Sequence, residues 1–454
     1  MPISRRAFLG GAAGTAVAGG GAWAALLRDS LEAAAPTGRP SPATTLAPVT
    51  TTTTTVAEAV ASSSARLPVT DRVLVVLEMD GGNDALNTLV PAVGRYHDAR
   101  PEIGLSDGQL ITLSGAEFGL HPALAGLTPF WEAGTMSAIA GVAMPQQSRS
   151  HFTAKDAWWS GVGGAPSQTG WLGRWLDLSL GAERNGVDDP LRAIALGGGS
   201  PALIGVQTTA TAIRDPAAFT LATGPGVDEG GLVEAFLATA SALNAEPTLA
   251  AAQQAIPGTL DAVALLAAAS GSDNLSAYEN PTPGAGRTAV DLLSTAANII
   301  AMGIGTRVLT VGVRGFDTHA DQVENHQALL HDLASGLASF FTALEASGDL
   351  DRVMVITTSE FGRQIVENGS AGTDHGKGGL QFVFGPSVAG GIVHGGFDLG
   401  ALDDGGVPPA VDTRSVYRSA LEWLGGPGGA DGVFEEDPAV LGPVSYTHLR
   451  AHET

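Results

Sequence analysis

Apolar and polar positions alternate along this chain in two rhythms, and the points where the apolar runs stop carry most of the information. Val73-Leu74-Val75-Val76-Leu77, entered from Arg72, is a continuous apolar run of the kind buried on both faces of a parallel sheet. Similar runs recur at Thr135 to Val142, Leu191 to Leu196, Thr306 to Val313, Val353 to Thr358 and Leu380 to Phe384. Between them lie helical patterns: Pro122 to Ala133, a stretch beginning at His151, Gly170 to Leu176, Thr288 to Ala301, Gln322 to Ala346 and Ser415 to Leu424. Strands alternating with helices predict an α/β domain, with a mostly parallel central sheet and helices on both faces, over residues 69–443. About 200–285 is rich in Ala, Thr, Gly and Leu, with helical patches at Leu232 to Leu243 and Leu260 to Ala269, and reads as a helical insertion or lid. Val388 to Val393 reads as a hairpin arm with a turn at His394-Gly395-Gly396, and Val411 to Arg414 as the cap of the last helix.

The strands end in similar chemistry. The first stops at Glu78-Met79-Asp80-Gly81-Gly82-Asn83-Asp84, a later one at Arg314-Gly315-Phe316-Asp317-Thr318-His319, and the next at Ser359-Glu360-Phe361-Gly362-Arg363. Gly372-Thr373-Asp374-His375-Gly376-Lys377 follows shortly after. Right-handed crossovers place such loops along one sheet edge, where open α/β sheets bind ligands. Carboxylates mixed with imidazoles suit Zn, Mn or Mg, so Asp80, Asp317, His319, Glu360, Asp374 and His375 are the candidate ligands of one or two divalent ions. Ser150, with His151 beside it, stands at a predicted helix start. There it is either a metal-activated nucleophile or simply the N-cap that serine often provides. Arg363 and Lys377 are candidate clamps for substrate oxyanions. His326 and His331 are expected to face solvent or cap side chains, His121 to enter a helix, and Trp171 and Trp175 to lie in the core.

Charge and composition narrow the partners. Lys+Arg 23 against Asp+Glu 46 gives a net charge of −23, which argues against nucleic acid or an anionic membrane as main partner. A small anionic ester or cell-surface substrate stays open, because bound cations reverse the local field. The absence of cysteine removes disulfides, thiolate ligands and Fe–S clusters. Residues 1–35 read as a signal peptide whose Arg5-Arg6 pair indicates twin-arginine export, to periplasm or outside, with no stable membrane span after cleavage. Residues 36–68 are a Pro/Thr/Ser-rich tether, and 444–454 break in character from all that precedes and read as a non-native tail.

Six segments appear together and in order: DGGND at Asp80 to Asp84, SRSHF at Ser148 to Phe152, GWLGR at Gly170 to Arg174, FDTH at Phe316 to His319, SEFGR at Ser359 to Arg363 and GTDHG at Gly372 to Gly376. With the twin-arginine signal, the chain resembles a bacterial exported family known only as a domain of unknown function, placed in the alkaline phosphatase and sulfatase clan. The resemblance implies an alkaline-phosphatase-like fold, a first-strand ligand matched by Asp80, a helix-start nucleophile matched by Ser150, and a later Asp and His resembled by Asp317 and His319. The chain departs from the clan pattern where a histidine is expected and Asp321 stands, and where Ser359-Glu360 replaces an Asp-His pair. The Ser/Cys-x-Pro-x-Arg motif of sulfatases is absent. The expected function is an exported metal-dependent hydrolase of phosphate or related esters, a phosphate ester ahead of a sulfate ester. The alternative is a non-catalytic exported surface or assembly protein that keeps the fold, with or without a structural metal.

Overall fold

The computed structural model describes residues 72–163, 167–184, 188–213, 229–240, 287–436 and 438–441. The expected signal, the tether, the tail, and the Leu260 to Ala269 patch lie outside them. In chain order the strands are β1 (Val73–Asp80), β2 (Leu89–Pro91), β3 (Ile111–Thr112), β4 (Phe118–Leu120), β5 (Met136–Ala143), β6 (Ala193–Leu196) and β7 (Thr211–Ile213). Then come β8 (Val308–Arg314), β9 (Val353–Thr358), β10 (Arg363–Glu367), β11 (Thr373–His375), β12 (Gly379–Phe384), β13 (Val393–Gly395) and β14 (Val411–Asp412). The principal helices are α1 (His151–Ser160), α2 (Trp171–Arg184), α3 (Ala289–Met302), α4 (Gln322–Ser347) and α5 (Thr413–Gly425).

One sheet runs in the order β13-β5-β12-β9-β1-β8-β6-β7, with β14 also paired to β5. Only β12 runs against its neighbours, so the sheet is mostly parallel, as expected. Alternate residues of β1 explain the layering. Val73, Val75, Leu77 and Met79 face a cluster with Leu292, Leu293, Leu330, Leu337 and Phe340 of α3 and α4. Leu74 and Val76 face Trp158, Trp171, Trp175 and Leu421 from α1, α2 and α5. Inside that second layer Trp171 stacks on Tyr417, ring centroids 4.2 Å apart and 4° from parallel. Both faces of β1 are thus apolar because both are covered.

Three elements differ from the sequence expectation. The stretch after Pro201 first adds β7 parallel to β6 at the sheet edge, before the helix Glu229–Ala240. The expected hairpin arm and turn at 388–396 instead give β13, which contains His394 and pairs parallel to β5. His326 is not solvent-facing: it is 2% exposed. It lies on the face of α4 that also buries Gln322, Leu330, Leu333, Leu337 and Phe340, so its four-residue spacing from Gln322 and Leu330 put it inside.

The register sets up the site. Asp80 pairs with Arg314, Glu78 with Thr358, and Gly379 with Val142. The ends of β1, β8 and β9 and the start of β12 therefore share one rim. Short β10 and β11 form an antiparallel hairpin above it, with Arg363 opposite His375.

Candidate metal centre

The rim loops are tied before any ligand is considered. Gly81 has φ +131°, and a Cβ there would lie 2.2 Å from the backbone nitrogen of Asp317, so only glycine lets the two loops cross. Ser359 Oγ donates to the Met79 carbonyl at 2.8 Å and accepts from the Asn83 N–H at 2.8 Å. Arg363, 1% exposed, is the central strut. Its guanidinium donates to the carbonyls of Gly82 (2.6 Å), Thr373 (2.9 Å), Phe316 (3.1 Å) and Gly81, and to Asp317 Oδ1 (2.6 Å).

Onto that frame three imidazoles converge, each oriented in the same way. His151, first residue of α1, has Nδ1 2.9 Å from Glu360 Oε1. His375 has Nδ1 2.8 Å from the Arg149 carbonyl, and His319 has Nδ1 3.1 Å from Asp374 Oδ1. An oxygen acceptor at Nδ1 assigns the ring proton there and leaves the lone pair on Nε2. Those Nε2 atoms all face Asp317: His151 lies 3.4 Å from Oδ2, while His319 and His375 lie 3.2 and 3.3 Å from Oδ1. The Nε2 atoms of His319 and His375 are 2.8 Å apart. His151 Nε2 is buried without a hydrogen-bond partner.

This donor set fits a divalent ion. His151, Asp317 and His375 each offer an atom within 4.8 Å of the others, with His319 Nε2 alongside. Imidazole held by an oxygen at its far nitrogen is the usual outer-shell arrangement of a metal-bound histidine. Protonation favours binding too. Burial, and then the charges of Arg363 and His151, push His375 below the ordinary imidazole range, although the Arg149 carbonyl pulls the other way. Burial opposes the charge on Asp317, but the hydrogen bond and charge of Arg363, followed by His319 and His151, hold its carboxyl below the usual range. Asp374 is also held low, first by its Asn368 hydrogen bond.

The remaining candidates from the motifs sit in different surroundings. Glu360 accepts the Gly81 N–H with both oxygens at 3.0 Å and orients His151, its side chain only 3% exposed. Asp374 orients His319. Asp80 is ion-paired with Lys155. Arg363, proposed as a clamp, is buried and engaged with four carbonyls and Asp317 of the protein itself. Lys377 is held by Asp403 at 2.5 Å and Asp404 at 3.4 Å. Ser150 is exposed and caps α1 by position only, its side chain making no capping hydrogen bond. Sequence reasoning missed Lys155, one helical turn beyond His151. It also missed Glu78, which accepts from Ser200 Oγ at 2.6 Å. Together with Asp80, Trp159 and Arg314 these line a cavity of about 250 Å³ that adjoins Glu360.

Residues 237–418 match the family described as "Protein of unknown function (DUF1501)". The DUF1501 match covers Asp317, His319, Glu360, Asp374 and His375, and stops short of Asp80 and His151. No curated protein matches the chain. Among solved structures it is similar to the lipoteichoic acid synthase LtaP from Listeria monocytogenes, at 9% identity over 72% of this chain and 71% of that one, TM-score 0.32. It is also similar to the PsFucS1 sulfatase from Pseudoalteromonas sp., at 13% identity over 82% and 72%, TM-score 0.32. Alkaline phosphatase from the Antarctic bacterium TAB5 matches at 12% identity over 71% and 95%, TM-score 0.27. These likenesses concern the fold, and the chemistry of the centre is read from its own residues. Among the described residues no helix is long and apolar enough to cross a membrane.

Proposed function

We propose that this chain is an exported hydrolase of phosphate or related esters, working through a divalent cation held by His151, Asp317 and His375, with His319 beside them. The observation that carries the reading is the common orientation of three imidazoles: each is fixed through Nδ1 and each presents Nε2 to Asp317. A cation at that point supplies Lewis acidity toward an ester oxygen and lowers the pKa of water. The chain's residues do the rest. Asp317 stays ionised, His375 stays neutral, and Glu360 and Asp374 keep two rings aimed. Lys155 and Arg314 line the adjoining cavity beside the carboxylates Glu78, Asp80 and Glu360. The Arg5-Arg6 signal supports export to the periplasm or beyond.

A non-catalytic exported protein with a structural metal is the second reading. It is favoured by the exposed, unactivated Ser150 and by the internal engagement of Arg363 and Lys377. Metal analysis of the mature chain, followed by turnover on aryl phosphates and aryl sulfates, separates the two. The hydrolase reading expects bound Zn, Mn or Mg, turnover of a phosphate ester, and loss of both in His375→Ala and Asp317→Asn. Bound metal with no turnover on any ester selects the structural role, and a chain that binds no divalent ion ends both.

A further inference from the structure

Two carboxylates next to the imidazoles, Asp80 and Glu360, have the residue types of a second cation site, and α1 delivers a different cation to them. The ammonium of Lys155 contacts Asp80 Oδ1 and lies 3.6 Å from Glu360 Oε1. That Glu360 oxygen is the same one that meets His151 Nδ1 at 2.9 Å. Lys155 stands four residues after His151, so one helix face carries both a ligand of the metal centre and the ammonium beside it. Glu360 is thereby fully used: its two oxygens take the Gly81 N–H, His151 and Lys155, and its side chain is 3% exposed.

We infer that Lys155 is the built-in second cation of this centre, and that the chain accordingly takes one metal ion rather than two. The inference rests on the metal reading above and deepens it. An ammonium between Asp80 and Glu360 neutralises them as an ion would, and a dication brought to the same carboxylates would meet its like charge. A lysine, unlike a metal, has no open coordination position and cannot present a second activated water. Lys155 is on this account a positioning residue. By balancing Glu360 it keeps that carboxylate in place against both Gly81 and His151.

The test is metal stoichiometry, measured on the mature chain by elemental analysis and by titration with Zn²⁺ and with Mn²⁺. Wild type is expected to bind one ion per chain. Lys155→Met, which keeps length and removes charge, is expected to bind a second, weaker ion, visible with Mn²⁺ as a spin-coupled pair by electron paramagnetic resonance. Lys155→Arg is expected to stay at one. Asp80→Asn in an otherwise wild-type chain is expected to keep its one ion with affinity changed less than about threefold, and this arm stands even where Lys155→Met does not fold. Two ions in wild type, one ion in a folded Lys155→Met, or loss of the ion in Asp80→Asn would each overturn the inference. A wild-type chain that binds none sinks the metal reading instead, so the two failures are distinguishable.

Discussion

Replacing Arg363 by methionine tests whether the centre is built on an internal strut or on a substrate-facing arginine. The side chain is 1% exposed and donates to the carbonyls of Gly81, Gly82, Phe316 and Thr373 and to Asp317. Methionine keeps the length and removes every donor. Leaving a buried acceptor unmet costs about 1–3 kcal/mol, so four carbonyls taken singly would reach roughly 4–12 kcal/mol. The sum overstates the loss, because the four lie in connected loops that relax together and because Asp317, 46% exposed at its side chain, recovers water. Removing one partner of a buried charged network typically costs about 3–5 kcal/mol, and that is the expected value. With an unfolding entropy near 2.1 cal/mol/K per residue, a domain of roughly 350 residues loses about 1.4 °C per kcal/mol, giving a Tm lowered by about 4–7 °C. Thermal and urea unfolding should be run in chelator, since bound metal would add its own stabilisation. Arg363→Lys is expected to fail as a rescue, because an ammonium with three donors cannot span four carbonyls on three separate segments. A methionine variant within about 1 kcal/mol of wild type, or a lysine variant matching it, refutes the strut. A raised KM at unchanged Tm would restore the clamp.

Two pH effects of opposite sign follow from buried groups near the same loops. Burial holds His326 and His121 down to about 4, so between about 6.5 and 4 the unfolded chain binds more protons than the folded one. The stability these two contribute is present above that window and is lost as pH falls through it; unfolding at pH 5 should take up between one and two protons, and a urea midpoint flat from pH 7 to 4.5 would contradict this. Glu78 goes the other way: burial, opposed by its Ser200 hydrogen bond, raises it to about 7, so stability present below pH 4.5 is lost as pH rises through 7. Glu78→Gln should therefore be more stable than wild type at pH 8, by about 1–2 kcal/mol after allowing for partial exposure, and no more stable at pH 4; equal gains at both pH values would show that charge is not the cause.

Much of the fold was legible because burial on both faces writes itself into strands as unbroken apolar runs. Val73–Asp80 and Val353–Thr358 sit where their apolar runs put them, and Thr288 caps α3 at the position where the helical pattern begins. The misreadings have different causes. Val393–Gly395 joins the sheet by pairing with β5, from more than two hundred positions away, and nothing local in a Val-His-Gly segment announces a partner so distant. His326 was the opposite case, since its spacing within the apolar face of α4 was visible and the assumption that histidine prefers water overrode it.

At the rim, sequence identified the right residue types and could not rank them. Asp317 and Glu360 both follow a strand by a turn, yet one is half exposed and faced by three Nε2 atoms, while the other is 3% exposed and spent on Gly81 and His151. The difference comes from Gly81, whose left-handed backbone turns its N–H onto Glu360 as its loop passes under Asp317. A residue with a Cβ at position 81 would push those loops apart and free Glu360. Which carboxylate holds a cation and which holds the histidine is thus decided by a backbone crossing between segments more than two hundred residues apart, and the carboxylates themselves carry no mark of it.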